Sequence, residues 1–266
     1  MDGASIYREF RPSPDLAPYL VCLWTQNTHS KTEFAQRVLP DGCVDVLLIN
    51  GVGMVIGPWT KPFVANLPPG TNILGARIHP GLASSLLGIP ASELLNQSLP
   101  LCDIWGSART SEFARIADQS TLRVRMSAMG ALLMMHGGIA RPADKAIRIA
   151  IQWIARHPHG RVEELSDWLG ISRRQIQRRF TIAVGYGPKR FQSVLRFQRL
   201  LHRASNEGAQ GNLARLALDA DYADQAHMTR EVQRFSGKPP TSLFQFSKST
   251  LALSGLMPTA PWPSRT

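Results

Sequence analysis

Arg174, Gln177, Arg178 and Thr181 stand at i, i+3, i+4 and i+7, a spacing that puts all four on one face of a helix. Together they form a stripe of hydrogen-bond donors with no acid among them, the side-chain types that pair with base edges and phosphate oxygens. The opposite face carries Ile176, Phe180 and Ala183, which would pack on Leu165 and Leu169 of a short amphipathic helix over Val162–Leu169. Gly170-Ile171-Ser172 supplies a turn between them. Ser172 is a good N-cap and Gln175, three residues on, completes a capping box. The pattern predicts a helix-turn-helix whose second helix runs from Arg173 to Val184.

The pattern recurs. Asn212–Asp219 would be a first helix, Ala220-Asp221-Tyr222-Ala223 a turn, and Asp224 the cap of a second helix reaching Phe235. Met228, Val232 and Phe235 form its buried face, leaving Gln225, His227, Arg230 and Arg234 towards solvent. An offset of 52 residues relates Ile176 to Met228, Phe180 to Val232, Gly185 to Gly237 and Pro188 to Pro240. Four landmarks at one offset mark an internal duplication.

The spacing of the copies depends on the element between them. Pro188 to Ala204 reads as a helix with Phe191, Val194, Leu195, Gln198 and Leu201 along one side. At ~1.5 Å per residue it spans roughly 24 Å, which with the flanking units sets the two exposed helices about 34 Å apart, one turn of B-DNA. Charge points the same way. The chain of 266 residues has a net charge of +11, yet residues 1–140 hold 10 basic and 10 acidic side chains, while residues 141–248 hold 19 and 9. A neutral module joined to a basic one implies that the second meets a polyanion, nucleic acid or anionic lipid by charge alone.

The first hundred residues predict strands at Tyr19–Thr25, Ala35–Leu39, Val44–Ile49, Met54–Ile56 and Asn72–Ile78, separated by Pro and Gly turns. Short helices follow around Leu82–Leu87 and Leu94-Leu95, then longer ones at Thr110–Ala117 and Thr121–Met135. The expected division is a β-rich module over 1–106, a helical connector over 107–138 that supports dimerisation, an all-α DNA-binding domain over 141–248, and a disordered tail over 249–266. The first module is of α+β class, a cupin-like arrangement being one candidate.

Enzyme readings find little support. Residues 1–140 contain only His29, His79 and His136, with no close His pair for a metal, so neither metal nor cofactor is expected. A DNA-repair alkyl acceptor would need an activated thiol, but Cys43 lies between Asp41 and Asp45, which would raise its pKa. Three widely spread cysteines suit free thiols in a reducing cytoplasm. No catalytic residue is expected. Arg77 is a candidate partner for an anionic small-molecule effector, with Trp24 or Trp59 lining its pocket; alternatively Arg77 merely pairs with Asp45.

The run Leu169-Gly-Ile-Ser-Arg-Arg-Gln-Ile-Gln-Arg-Arg-Phe180, the run Asp224-Gln-Ala-His-Met-Thr-Arg230 and Gly237-Lys-Pro-Pro240 resemble the AraC/XylS family of bacterial transcription regulators. The resemblance covers about Ala143 to Phe246 and implies seven helices, two helix-turn-helix units and a promoter site in double-stranded DNA. DNA contacts are expected from Arg173, Arg174, Gln177, Arg178 and Thr181 in the first unit and from Gln225, His227, Arg230 and Arg234 in the second. The pattern departs from the family at Asp221-Tyr222, where the family has Gly-Phe, and at Met228, where it has an aromatic. Leu39-Pro-Asp-Gly-Cys-Val-Asp45, Gly57-Pro58, Gly75–Gly81 and Pro100–Trp105 resemble the small sensor-like module that precedes this domain in many such regulators. The expected protein is a cytoplasmic, nucleoid-bound regulator or activator. It would be homodimeric, in contact with RNA polymerase and independent of membranes, with the N-terminal module either answering to a small-molecule effector or serving only dimerisation or partner docking.

Overall fold

The computed structural model describes residues 5–137, 143–207 and 213–244. Residue 138 at the end of the expected connector, residues 141–142 and 245–248 of the expected DNA-binding domain, Asn212 at the head of the second copy, and the tail from 249 lie outside the described residues.

Among the described residues the N-terminal half contains eight strands: β1 (Ser5–Phe10), β2 (Leu20–Thr28), β3 (Phe34–Val38), β4 (Val44–Ile49), β5 (Val52–Ile56), β6 (Phe63–Leu67), β7 (Asn72–Ile78) and β8 (Ser98–Pro100). Six make an antiparallel sheet in the order β1-β2-β7-β4-β5-β8, and β3 pairs with β6 in a separate ribbon. Alternation along the strands assigns the two faces of the large sheet. Val44, Val46 and Leu48 join Leu74, Ala76 and Ile78 in the helix-covered core, whereas Leu47, Cys22, Trp24 and Ile73 meet Leu67 of the ribbon.

The helix-covered face is closed by α1 (Ala83–Leu87), a 3-10 turn (Ala91–Leu94), α2 (Leu101–Trp105), α3 (Ser107–Ala114), a second 3-10 turn (Arg115–Asp118) and α4 (Leu122–Gly137). Met129 and Leu133 of α4 are buried beside Leu86 and Phe113, so this helix is built into the β-module's core. Strands β1, β6 and β8, and helix α2, are additional to the sequence expectation.

Among the described residues seven helices follow: α5 (Lys145–Arg156), α6 (Val162–Leu169), α7 (Arg173–Val184), α8 (Pro188–Glu207), α9 (Leu213–Asp219), α10 (Gln225–Ser236) and α11 (Pro240–Leu243). Their shared core is led by Phe180, Phe191, Phe197 and Phe235, none with any exposed surface. Leu39, from the end of β3, belongs to that same core, so the two halves are packed against one another. At this seam Gln198 Nε2 donates to the Pro40 carbonyl at 2.6 Å, Ser84 Oγ to the Ile182 carbonyl at 3.0 Å and Arg37 Nη1 to the Ser236 carbonyl at 3.1 Å.

Candidate nucleic-acid interface

Helix α7 begins where local chemistry dictates. The Gln175 N–H donates to Ser172 Oγ at 3.3 Å and the Ser172 N–H donates to Gln175 Oε1 at 3.0 Å, the reciprocal box read from the sequence. Ile176, Phe180, Ala183 and Val184 are buried. Arg174, Gln177 and Arg178 are exposed and Thr181 half-buried, with Gln177 Nε2 donating to Thr181 Oγ1 at 3.4 Å. Arg173 is tied back instead, its Nη1 2.7 Å from Glu163 of α6, so the acid that the stripe itself lacks reaches it from the neighbouring helix. Helix α7 ends at Gly185, whose φ of 98° only glycine adopts without strain.

Helix α10 repeats the design. Asp224 Oδ1 accepts the His227 N–H at 2.6 Å, and Met228, Val232 and Phe235 are fully buried. Both helices are 12 residues long, and their starts at 173 and 225 keep the 52-residue offset. Gln225, Arg230 and Arg234 are exposed; His227 is half-buried, edge-on to Tyr222 at 5.2 Å. Asp221 adopts φ 64°, a left-handed conformation that glycine takes most readily and that Asp tolerates better than most residues. Its carboxylate faces Arg199 at 3.3 Å and His159 at 3.7 Å, which keeps that negative charge from standing unpaired beside the basic surface.

Two ion pairs brace the helices beneath. Arg179 grips Asp144 through two bonds of 2.6 and 2.7 Å, and Asp144 also caps α5 by accepting the Ile147 N–H. The Arg179 hydrogen bond, against the opposing effect of burial, holds the Asp144 carboxyl below its usual pKa. Arg196 pairs with Glu231 at 3.2 Å in a nearly buried contact and lies 5.1 Å over the Tyr222 ring. Sequence reasoning does not find this pair or the seam. One signal is present: Gln198 sits on the apolar stripe of α8, and a buried amide needs a partner.

In the β-module, Arg77 is buried among Asp45 (3.3 Å), Asp41 (3.5 Å) and Glu9 (3.5 Å), one cation facing three carboxylates. Trp24 Nε1 donates to the same Asp45 at 3.0 Å, while Trp59 stacks on Phe63 at 4.5 Å. Burial, despite Arg77, pushes the Asp41 carboxyl up to about 6. Burial first, and then the neighbouring Asp41, raises the Cys43 thiol, and burial lifts Cys22 to about 12. Cys102 is exposed. Among the described residues no cluster of three His, Cys, Asp or Glu side chains is placed to hold a metal, and no helix is long and apolar enough to cross a membrane.

Two family models match separate parts of the chain. Residues 165–245 match a family model described as a helix-turn-helix domain, and residues 8–100 match a domain of unknown function, DUF6597. No curated protein matches the chain significantly. Among solved structures the chain is similar to a probable AraC family transcriptional regulator from Rhodopseudomonas palustris CGA009. That match has 24% identity and a TM-score of 0.35, and covers 38% of this chain and 96% of the other. It is also similar to ToxT from Vibrio cholerae, with 10% identity and a TM-score of 0.47, covering 91% and 98%. The domain match and the paired, capped helices identify residues 165–245 as a helix-turn-helix domain, with a DUF6597 module ahead of it in the chain.

Proposed function

We propose that one chain reads two successive major grooves on one face of promoter DNA, through α7 in the first and α10 in the second. The carrying observation is the repeated geometry: two capped 12-residue helices, each burying one face and exposing Arg and Gln on the other. Helix α8, at ~1.5 Å per residue over its 20 residues, is roughly 30 Å long, the right order for spacing two readers one helical turn apart. Arg174, Gln177 and Arg178 are the base readers of the first unit and Gln225 and Arg230 those of the second. Arg173, Thr181, His227 and Arg234 serve the backbone. A bidentate Arg–guanine contact is worth ~1–3 kcal/mol of discrimination. Selection of duplexes from a random pool should therefore return a two-part site, with Arg178→Ala relaxing preference in one part and Arg230→Ala in the other. Equal loss on specific and random DNA would reduce both to phosphate contacts.

The DUF6597 module is proposed to regulate this reading through the seam, since α1 and the 3-10 turn at Ala91–Leu94 pack on α7 itself. Arg77 gives its guanidinium to carboxylates, so the small-molecule effector is placed elsewhere. A groove of about 510 Å³, floored by Leu48 and Leu74 and rimmed by Ile6, Leu122, Arg8 and Arg125, suits a compact anionic amphiphile. An alkyl carboxylate that raises the melting temperature of the whole protein and changes operator affinity would support effector control. Stabilisation with unchanged affinity and transcription would remove it. A second reading, a homodimer through α4, is favoured by the exposure of Leu122 (38%), Val124 (44%) and Met135 (54%) on that helix. Sedimentation of Val124→Glu/Met135→Glu beside the native chain tests it.

A further inference from the structure

Between the first half of α8 and α10 lies a cleft of about 700 Å³ whose walls include Lys189, Arg190, Arg196, His227, Glu231 and Arg234. Its one acid is already engaged: Glu231 holds Arg196 at 3.2 Å and stands 3.9 Å from His227. Among the described residues no carboxylate lies within 4.0 Å of Lys189, Arg190 or Arg234; Glu231, which shares the cleft and offsets part of the repulsion on Arg190, is bound to Arg196, so the three cations outnumber the acid they face. Two of them are placed where a helix tolerates them least. Lys189 and Arg190 occupy the first turn of the 20-residue α8, beside its free N–H groups and the positive end of its dipole. Half-buried Arg190 is further pressed by Arg234, and burial with that repulsion lowers its pKa. A self-repelling basic cleft of this kind is relieved by an anion that accepts from several donors at once.

We propose that this cleft grips the DNA sugar-phosphate backbone where the strand passes between the two major grooves, locking the register of α7 against α10. The inference rests on the two-groove reading and deepens it. The ligand chemistry is a phosphodiester oxygen pair, and Lys189, Arg190 and Arg234 are its binding residues. Arg196 is a positioning residue, held upright by Glu231 and the Tyr222 ring. In the sequence Lys189 and Arg190 fall in a segment that reads as a connector between the two units; their misplacement against the helix dipole is what marks them.

The test uses the full chain, a duplex recovered by selection, and the double variant Lys189→Ala/Arg190→Ala. Each phosphate contact contributes about 0.9 to the slope of log affinity against log salt, or about 3.5-fold between roughly 50 and 200 mM. The double variant should lower the slope by about 1 to 2 while leaving base preference intact, and Lys189→Arg should keep the native slope. A neutral methylphosphonate at the phosphates midway between the two half-sites should weaken the native chain and cost the double variant nothing more. An unchanged slope, or two losses that multiply independently, would overturn the proposal. Inorganic pyrophosphate separates the sources: if it raises the native melting temperature while the variant keeps the native DNA slope, the cleft takes a free anion and the backbone proposal fails. Arg178→Ala tells the two failures apart. Relaxed base preference there with an unaltered slope in the double variant removes only the cleft, whereas no selectable duplex removes the DNA reading as well.

Discussion

Gly42 lies in the loop joining β3 to β4, with φ 84°, and a Cβ added there would stand 2.8 Å from Cε2 and 3.3 Å from Cδ2 of Phe191 on α8. Gly42→Ala therefore imposes two costs. Left-handed backbone costs an L-residue about 1 kcal/mol, and forcing a methyl into a packed interior typically costs about 1–3 kcal/mol. Relief is difficult, because the fully buried Phe191 ring leans on Phe180 of α7 at 5.5 Å. Gly70 is the matched control, with φ 71° and nothing within 4 Å of an added Cβ, so Gly70→Ala carries only the backbone cost. At roughly 2–4 °C per kcal/mol for chains near this size, Gly70→Ala should lower the melting temperature by about 2–4 °C and Gly42→Ala by about 4–16 °C. The excess measures the contact between the β-module and α8. Gly42→Ala/Phe191→Leu should recover part of it, since neighbouring substitutions couple. Equal losses for the two glycines would refute the reasoning, for Phe191 would then yield freely and the seam would transmit nothing.

The remaining expectations concern charge. Asp41, raised to about 6 by burial, is a carboxyl whose folded pKa exceeds its unfolded one; its contribution is fully present at low pH and is lost as pH rises from about 4 through 6. His79, lowered to about 4 by burial, acts oppositely over much of the same window, so the observable is the difference between native and Asp41→Asn melting profiles. That difference should grow in the variant's favour from pH 4 to 7, and a constant offset would contradict it. Glu231→Ala strands Arg196 and should cost about 3–5 kcal/mol in urea denaturation, whereas Arg196→Met/Glu231→Leu should come within about 1 kcal/mol of native; similar losses for both would contradict the buried-pair account. Asp144→Ser keeps the α5 cap but drops the partly exposed Arg179 pair, so it should cost less than Asp144→Ala by about 1 kcal/mol, the ordinary value of a cap. Equal costs would show that the cap contributes nothing here.

What is legible in the residues follows from how local each determinant is. Strands β4 and β7 can be read at their observed limits because both lie centrally, largely buried on both faces, and appear as apolar-rich runs, broken only by Asp45 in one and by Asn72 and Arg77 in the other, between turn residues such as Asp41-Gly42 and Asn50-Gly51. Strand β1, Ser-Ile-Tyr-Arg-Glu-Phe, lies at an edge and mixes charge into its alternation, and β8 has three residues, so neither offers a run to read. Helices α7 and α10 are legible to within a residue because caps and buried faces are written within each segment. The seam is not. Gln198 and Pro40 are 158 residues apart, and no period or cap in either segment encodes their meeting. The same limit hides the Arg77 cluster, where strand pairing brings Asp45 opposite Arg77 while Asp41 and Glu9 arrive from the neighbouring loop and the edge strand. Only the Asp45 pairing is within reach of the sequence, as the plainer alternative to a ligand role.

Engagement of two successive major grooves by one chain can be read from a hydroxyl-radical and methylation-interference footprint of the full protein on its selected duplex. Two patches of guanine interference are expected, centred about 10–10.5 base pairs apart on one face of the duplex, with protected backbone between them where the α8 cleft lies. Arg178→Ala should erase contacts in one patch and Arg230→Ala in the other. A single patch that is lost with Arg178 and indifferent to Arg230 would contradict the account, leaving α10 as a structural copy that never reads DNA.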